Sequence, residues 1–183
     1  DHETNGLIKG DIVVNAGRPS MGKTSFALNV VNNIPRDKKV ALFEMEMMAE
    51  KLGARRLAAK DLVNATKLPR GKLNDEEWEK VIRKSNDIAL KNNIFTDTTA
   101  AQTIQEIKAK CKKIKLQHGL DVAIIDHLGL ILPTNPKENR VNQVSDITRN
   151  IKIMAKELNI AVIVLSQLSR LPEQRADHRP MLS

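Results

Sequence analysis

The chain has few aromatic residues, one cysteine and no long apolar run. Of its 183 residues only 2% are aromatic, with no Tyr and one Trp. Proteins that bind single-stranded nucleic acid by base stacking need exposed rings, so this composition argues against such a platform. The single Cys111 excludes an internal disulfide framework and favours a reducing, cytoplasmic location. Because no run approaches the ~20 apolar residues of a membrane-spanning helix, we expect no membrane partner.

The composition does provide an aliphatic core and an excess of positive charge. Hydrophobic residues make up 41% of the chain, which is enough for one domain with a buried core. The formal net charge is +8 and the sequence pI is near 9.7, so a polyanionic partner is compatible with the charge balance. With so few aromatic rings, any nucleic-acid contact is expected at the phosphate backbone.

Apolar runs alternate with helical patterns along the chain. The predicted strands are 11–16, 38–46, 94–96, 122–126 and 160–165, and the predicted helices follow residue 24 and cover 48–60, 75–89, 103–116 and 144–158. This alternation predicts an α/β fold with a mostly parallel sheet flanked by helices. Residues 133–140 are expected to form a loop that contacts DNA, and the polar tail 172–180 is expected to be mobile. Cys111 lies on the apolar stripe of one helix, so we expect it to be buried and inert.

The most specific motif lies between the first strand and the first helix. Residues 17–24 match G-x-x-x-x-G-K-[ST], the phosphate-binding P-loop, in the strand-loop-helix context that it requires. The predicted nucleotide-binding residues are Gly17, Arg18, Pro19, Ser20, Met21, Gly22, Lys23 and Thr24. Lys23 is expected to reach the β- and γ-phosphates, and the hydroxyl of Thr24 to bind Mg²⁺.

Polar residues follow three other strands, at the edge where ligands bind in parallel sheets. Asp126 ends a buried strand and is predicted to hold Mg²⁺. Glu44 and Glu46 are both candidates for the base that activates water; strand alternation places them on the same side, and the pattern does not choose between them. Gln167 is a candidate sensor of the γ-phosphate.

The motifs GRPSMGKT, FEMEM, AIIDHLGLI and VLSQLSR, in this order, resemble the ATPase domain of the hexameric replicative DNA helicases of the DnaB family. The connecting segments RGKLNDEEWEK, DTTAAQTIQEIKAKCKKIK and EQRADHRPMLS resemble it too. The resemblance implies a RecA-like P-loop NTPase core over residues 1–183, without the family's N-terminal domain and the C-terminal part of its core.

The resemblance also implies a function. It assigns ATP hydrolysis with Mg²⁺, coupled to translocation on single-stranded DNA and duplex unwinding, in a homohexamer that works with primase and a helicase loader. By the family's pattern the catalytic glutamate is Glu46, the metal ligand is Asp126 and the sensor is Gln167, with Lys23 also catalytic. The family's arginine finger would lie beyond Ser183, and neither Arg170 nor Arg175 matches it.

Two positions depart from the family. His127 and Gly129 stand where the family usually has Tyr and Gln, which removes a ring and an amide beside the predicted site. We expect His127 to face away from the site along the strand and to be structural.

Two other classes of protein share part of this pattern. A recombinase- or loader-type ATPase has the same motifs but does not unwind DNA, and strand displacement distinguishes it from a helicase. A small-molecule kinase needs an arginine-rich lid, and the sequence shows none.

Overall fold

The computed structural model describes residues 6–61 and 71–168. Its elements are β1 Ile12–Gly17, α1 Lys23–Asn33, β2 Val40–Glu44, α2 Ala49–Asp61, α3 Asp75–Lys91, β3 Ile94–Asp97, α4 Ile104–His118, β4 Val122–Asp126, α5 Arg140–Glu157 and β5 Ala161–Gln167, with a 3₁₀ turn at Leu128–Leu130. Arg170, Arg175 and the tail 172–180 lie outside the described residues. Within the described ranges, no helix is long and apolar enough to cross a membrane.

The five strands form one parallel sheet in the order β1-β5-β4-β2-β3. Every residue of β2 and β4 is buried, which explains why these strands are almost continuously apolar rather than alternating. The predicted α/β fold is therefore confirmed.

The two faces of the sheet carry separate hydrophobic clusters. One includes residues of α4 and α5, and the other includes residues of α1 and α2. Cys111 is fully buried in the first cluster, and burial raises the pKa of its thiol to about 12. The prediction that Cys111 is buried is thus confirmed.

Strand register aligns the polar strand ends. Glu44 lies opposite Asp126 in the β2–β4 pair, and Gly17 lies opposite Gln167 in the β1–β5 pair. The backbone N–H of Met45 extends this alignment past the end of β2, since it donates to the carbonyl of Asp126 at 3.0 Å. The sheet therefore gathers these residues at one edge.

The helix boundaries follow local capping. Asn74 caps α3 and Thr103 caps α4, each through a reciprocal capping box with a glutamate three residues later. Helix α5 begins at Arg140, before its apolar stripe, because the side chain of Asn139 accepts from the N–H of Asn142.

Candidate nucleotide site

The P-loop connects β1 to α1 through a left-handed turn. Gly22 has φ 81° immediately before the helix, a conformation that glycine adopts without steric cost. No side chain caps the start of α1, so its first N–H groups are not used by a cap. An uncapped helix N-terminus that ends a glycine-containing loop is suited to binding a phosphate.

Lys23 is held against its own loop. Its ammonium Nζ donates to the carbonyls of Gly17 and Arg18, at 2.8 Å each. The cation therefore lies inside the turn of the loop, where the predicted phosphates would bind.

Thr24 and Asp126 are in direct contact across the sheet edge. The Thr24 hydroxyl donates to Oδ2 of Asp126 at 2.7 Å, and Asp126 is only 2% exposed. A hydroxyl and a carboxylate are hard oxygen ligands of the type that Mg²⁺ prefers. Within the described part of the chain, no group of three or more His, Cys, Asp and Glu residues could hold a metal. A cation at this contact would therefore need further oxygen ligands from a bound molecule.

The two candidate glutamates occupy different environments. Glu44 is the last residue of β2 and is 1% exposed, and its Oε1 accepts from the N–H groups of Glu46 at 2.9 Å and Met47 at 3.1 Å. Glu46 is exposed and lines the cleft beside the P-loop. The expectation that both project from the same side is wrong, because β2 ends at Glu44 and strand alternation does not continue beyond it.

Glu44 is also electrostatically unusual. Burial raises its pKa to about 7, and the neighbouring charge of Asp126 acts in the same direction. The hydrogen bonds from Glu46 and Met47 oppose this shift by stabilising the carboxylate. Its second oxygen, Oε2, is buried and has no hydrogen-bond partner among the described residues.

One cleft brings the predicted side chains together. It has a volume of about 520 Å³, and the sequence-predicted residues that line it are Pro19, Ser20, Gly22, Lys23, Thr24, Glu46, Asp126 and Gln167. The other three P-loop residues do not line it: Gly17 and Arg18 hold Lys23 through their carbonyls, and Met21 is 71% exposed. The convergence predicted from the strand ends is confirmed.

Sequence reasoning did not assign Lys51 and Arg55 to the cleft, although both line it. They lie one helical turn apart on α2, the helix that follows Glu46. Their spacing of four residues is the signal that could have identified them, because side chains at this spacing share one helix face.

His127 also lines the cleft, so the expectation that it faces away is wrong. β4 ends at Asp126, and the chain then turns, with Nδ1 of His127 accepting from the N–H of Gly129 at 3.1 Å. A Cβ atom at Gly129 would lie 2.8 Å from Cε1 of His127, which is too close. The two departures from the family pattern therefore fit one another sterically.

The loop 133–140, expected to contact DNA, has mixed charge. Lys137 and Arg140 are its cations and Glu138 is its acid. Arg140 donates to the carbonyl of Gly129 at 3.1 Å, so this loop is tied to the turn that holds His127. Lys137 and Arg140 are both exposed and neither has a salt bridge among the described residues, but only the guanidinium of Arg140 is engaged, by hydrogen bonds to Gln143 and Gly129.

The whole chain is similar in sequence to one family of known proteins. It matches the model of the DnaB-like helicase C-terminal domain over residues 1–183. It is 42% identical over 186 aligned residues to the replicative DNA helicase DnaB of Geobacillus stearothermophilus and to the replicative DNA helicase DnaC of Bacillus subtilis. Each alignment covers the whole of this chain and 41% of the relative.

A solved structure gives the same result in three dimensions. A DnaB-like replicative helicase, described with its interactions with primase, superimposes with a TM-score of 0.89 at 38% identity, covering 97% of this chain and 43% of that one. Fold, motif order and family model therefore agree, and the chain belongs to the DnaB-like helicase C-terminal domain family.

Proposed function

We propose that this domain is the ATP-hydrolysing motor of a replicative DNA helicase. The observation that carries the proposal is the contact between Thr24 and Asp126, in the cleft that also contains Lys23, Glu46 and Gln167. These groups are what nucleotide hydrolysis requires: a phosphate-binding cation, oxygen ligands for Mg²⁺, a base and an amide. The relatives reported above are named as replicative helicases, so the comparisons do not favour a recombinase or loader.

Each residue has a proposed role. Lys23 would leave the carbonyls of Gly17 and Arg18 to bind the β- and γ-phosphates of ATP, a short movement since both partners lie in the same loop. Glu46 orients and deprotonates the attacking water, and Gln167 hydrogen-bonds the γ-phosphate or that water. Glu44 is disfavoured as the base because its carboxylate is buried and already accepts two N–H groups.

Thr24 and Asp126 are the residues that would hold Mg²⁺. Their oxygens fit a hard divalent cation, and the ion neutralises charge on the phosphates when bound. The carboxylate of Asp126 is nearly buried and accepts a hydrogen bond from the hydroxyl of Thr24, the last residue of the P-loop. The two oxygens proposed to hold the ion therefore already lie side by side.

We propose the activity and the partners of the whole protein from its membership of this family. The chain spans about 41% of the length of the curated relatives it matches. We propose that it acts in the cytoplasm as a homohexamer around single-stranded DNA, and that its partners are a primase and a helicase loader. Support for the primase comes from the structural neighbour, which is described with its primase interactions.

Strand displacement on a forked duplex tests this function. The full-length protein should unwind the fork with ATP and Mg²⁺, and single-stranded DNA should stimulate its ATPase. The matched control is the same protein carrying Lys23→Ala. Stimulated ATPase without displacement would instead indicate a DNA-dependent switch ATPase, and stimulation by a metabolite alone would indicate a kinase.

A further inference from the structure

The short turn that follows β2 determines where Glu46 lies. Residues 45–47 have three consecutive backbone N–H groups, and all three have acceptors. Met45 donates to the carbonyl of Asp126 at 3.0 Å, and Glu46 and Met47 both donate to Oε1 of Glu44, at 2.9 and 3.1 Å. A segment with every donor satisfied by neighbouring strand ends has little freedom to move.

This hydrogen bonding connects the proposed base to the proposed metal ligand. Glu44 and Asp126 are register partners in the sheet, so one buried strand pair fixes both. Oε1 of Glu44 in turn accepts a hydrogen bond from the backbone N–H of Glu46, two residues later, and so fixes the position of that backbone. The side chain of Glu46 is exposed, and among the described residues it makes no hydrogen bond that would orient it. Its location in the cleft therefore depends on its backbone.

We propose that Glu44 is a positioning residue, whose buried carboxylate holds the turn 45–47 so that Glu46 faces the nucleotide cleft. The proposal rests on the proposed function, because it assigns Glu46 as the base. It differs from a catalytic role for Glu44, since that side chain does not line the cleft. Glu44 would act through the position of Glu46 alone.

The burial of Glu44 supports this role. A carboxylate that is 1% exposed, with Oε2 lacking a partner among the described residues, is costly to the fold. An apolar side chain would fill the same space without this cost, but it would leave the N–H groups of Glu46 and Met47 without acceptors. A buried carboxylate at this position is explained if its hydrogen bonds to Glu46 and Met47 hold the turn that positions Glu46.

Two substitutions distinguish the effect of the hydrogen-bond acceptor of Glu44 from the effect of its negative charge. Glu44→Leu removes the acceptor and keeps an apolar side chain in the core. Glu44→Gln keeps a carbonyl oxygen at the position of Oε1 and removes the charge. Phe43→Leu is the matched control, because it alters a buried side chain one residue earlier in β2 and leaves the acceptor in place.

The first readout is amide hydrogen exchange, which does not depend on activity. In Glu44→Leu, exchange at the amides of Glu46 and Met47 should accelerate about tenfold, the equivalent of one ordinary hydrogen bond. Glu44→Gln and Phe43→Leu should retain protection at these two amides. Unchanged protection in Glu44→Leu would overturn the proposal, whatever the ATPase activity.

The second readout is ATPase activity in the full-length protein. A base misplaced by about 1 Å can cost about 10²-fold in rate, so Glu44→Leu should lower kcat by about that factor, with the Kd for nucleotide nearly unchanged. Glu44→Gln should restore kcat. Lost protection with normal kcat would show that the turn does not serve catalysis, and it would overturn the proposal.

A double-variant cycle shows whether Glu44 acts through Glu46. Once Glu46→Gln has removed the base, adding Glu44→Leu should lower kcat little further. Multiplicative losses would overturn the proposal, because Glu44 would then act independently. If Glu46→Gln alone keeps normal kcat, the base in the proposed function is wrong and the catalytic half of this inference fails with it, while amide exchange still decides whether Glu44 holds the turn.

Discussion

Thr24 and Asp126 are 102 residues apart in sequence, and the hydroxyl of one donates to the carboxylate of the other at 2.7 Å. This contact joins the start of α1 to the end of β4, so it links the P-loop to the centre of the sheet. The strand order makes it possible, since β4 is the middle strand of the five. The P-loop and Asp126, the proposed Mg²⁺ ligand, are therefore joined by a direct hydrogen bond.

Lys23→Ala should abolish nucleotide binding while leaving the domain folded. The ammonium of Lys23 makes two hydrogen bonds within its own loop, each worth roughly 0.5–1.5 kcal/mol, so the stability loss should be small. We propose that its charge binds the phosphates, and alanine removes that charge. Isothermal titration with ATP and Mg²⁺, together with thermal unfolding, checks both statements. Lys112→Ala, at an exposed position on α4, is the control, and normal ATP affinity in Lys23→Ala would refute the P-loop assignment.

Glu44 should make stability depend on pH in a defined direction. Its pKa rises from 4.5 to about 7 on folding, so the folded state binds more protons than the unfolded state within that window. The free energy of unfolding contributed by this group is therefore greatest below the window and is lost as pH rises through it. Glu44→Gln removes this dependence, so its stability relative to wild type should increase with pH across the window. Urea denaturation in EDTA, on either side of the window, measures the difference; a difference that is flat or opposite in sign would contradict it.

Cys111 should not react with thiol reagents while the domain is folded. The thiol is fully buried on α4, and burial raises its pKa to about 12, so almost no thiolate forms near neutral pH. Labelling with iodoacetamide should proceed only at the rate at which the domain opens. The same labelling in denaturant provides the control for reagent activity. Rapid, stoichiometric labelling of the native protein would show that this helix does not pack as described.

The parts of the site that follow from a local motif or from the end of a predicted strand could be predicted from the sequence. The P-loop spacing and the buried strand before Asp126 each follow from a local pattern, and the parallel sheet brings their ends together. The positions of Glu44 and His127 could not be predicted in this way. Each lies where a strand stops, and alternation describes side chains only while the strand continues. Their orientations are set instead by hydrogen bonds to the next two or three residues.

DNA binding by this domain should be weak, sensitive to salt and nearly independent of sequence. The chain has a net charge of +8 but few aromatic rings, so contacts should be with phosphates. Each such contact contributes about 0.7 to the slope of log affinity against log salt on single strands. If Lys137 in the loop 133–140 makes such a phosphate contact, Lys137→Ala should reduce this slope by about 0.7. Lys112→Ala, at an exposed position of α4, should leave the slope unchanged, and fluorescence anisotropy at several salt concentrations measures both variants. Affinity that does not change with salt would argue against backbone recognition.

Glu46→Gln should bind ATP and Mg²⁺ normally and hydrolyse ATP very slowly. Glu46 lines the cleft with Lys23 and Asp126, so its carboxylate is the acid placed to accept a proton from water there. Removing a positioned base costs about 10²–10⁴-fold in rate, with little effect on ground-state binding. Glu44→Gln is the matched comparison: it makes the same chemical change two residues earlier, at a buried carboxyl whose hydrogen bonds an amide oxygen can replace. Single-turnover hydrolysis and nucleotide affinity should be measured for both in the full-length protein, in which the proposed neighbouring subunits would complete the site. If Glu44→Gln is inactive there and Glu46→Gln is active, the base has been assigned to the wrong glutamate.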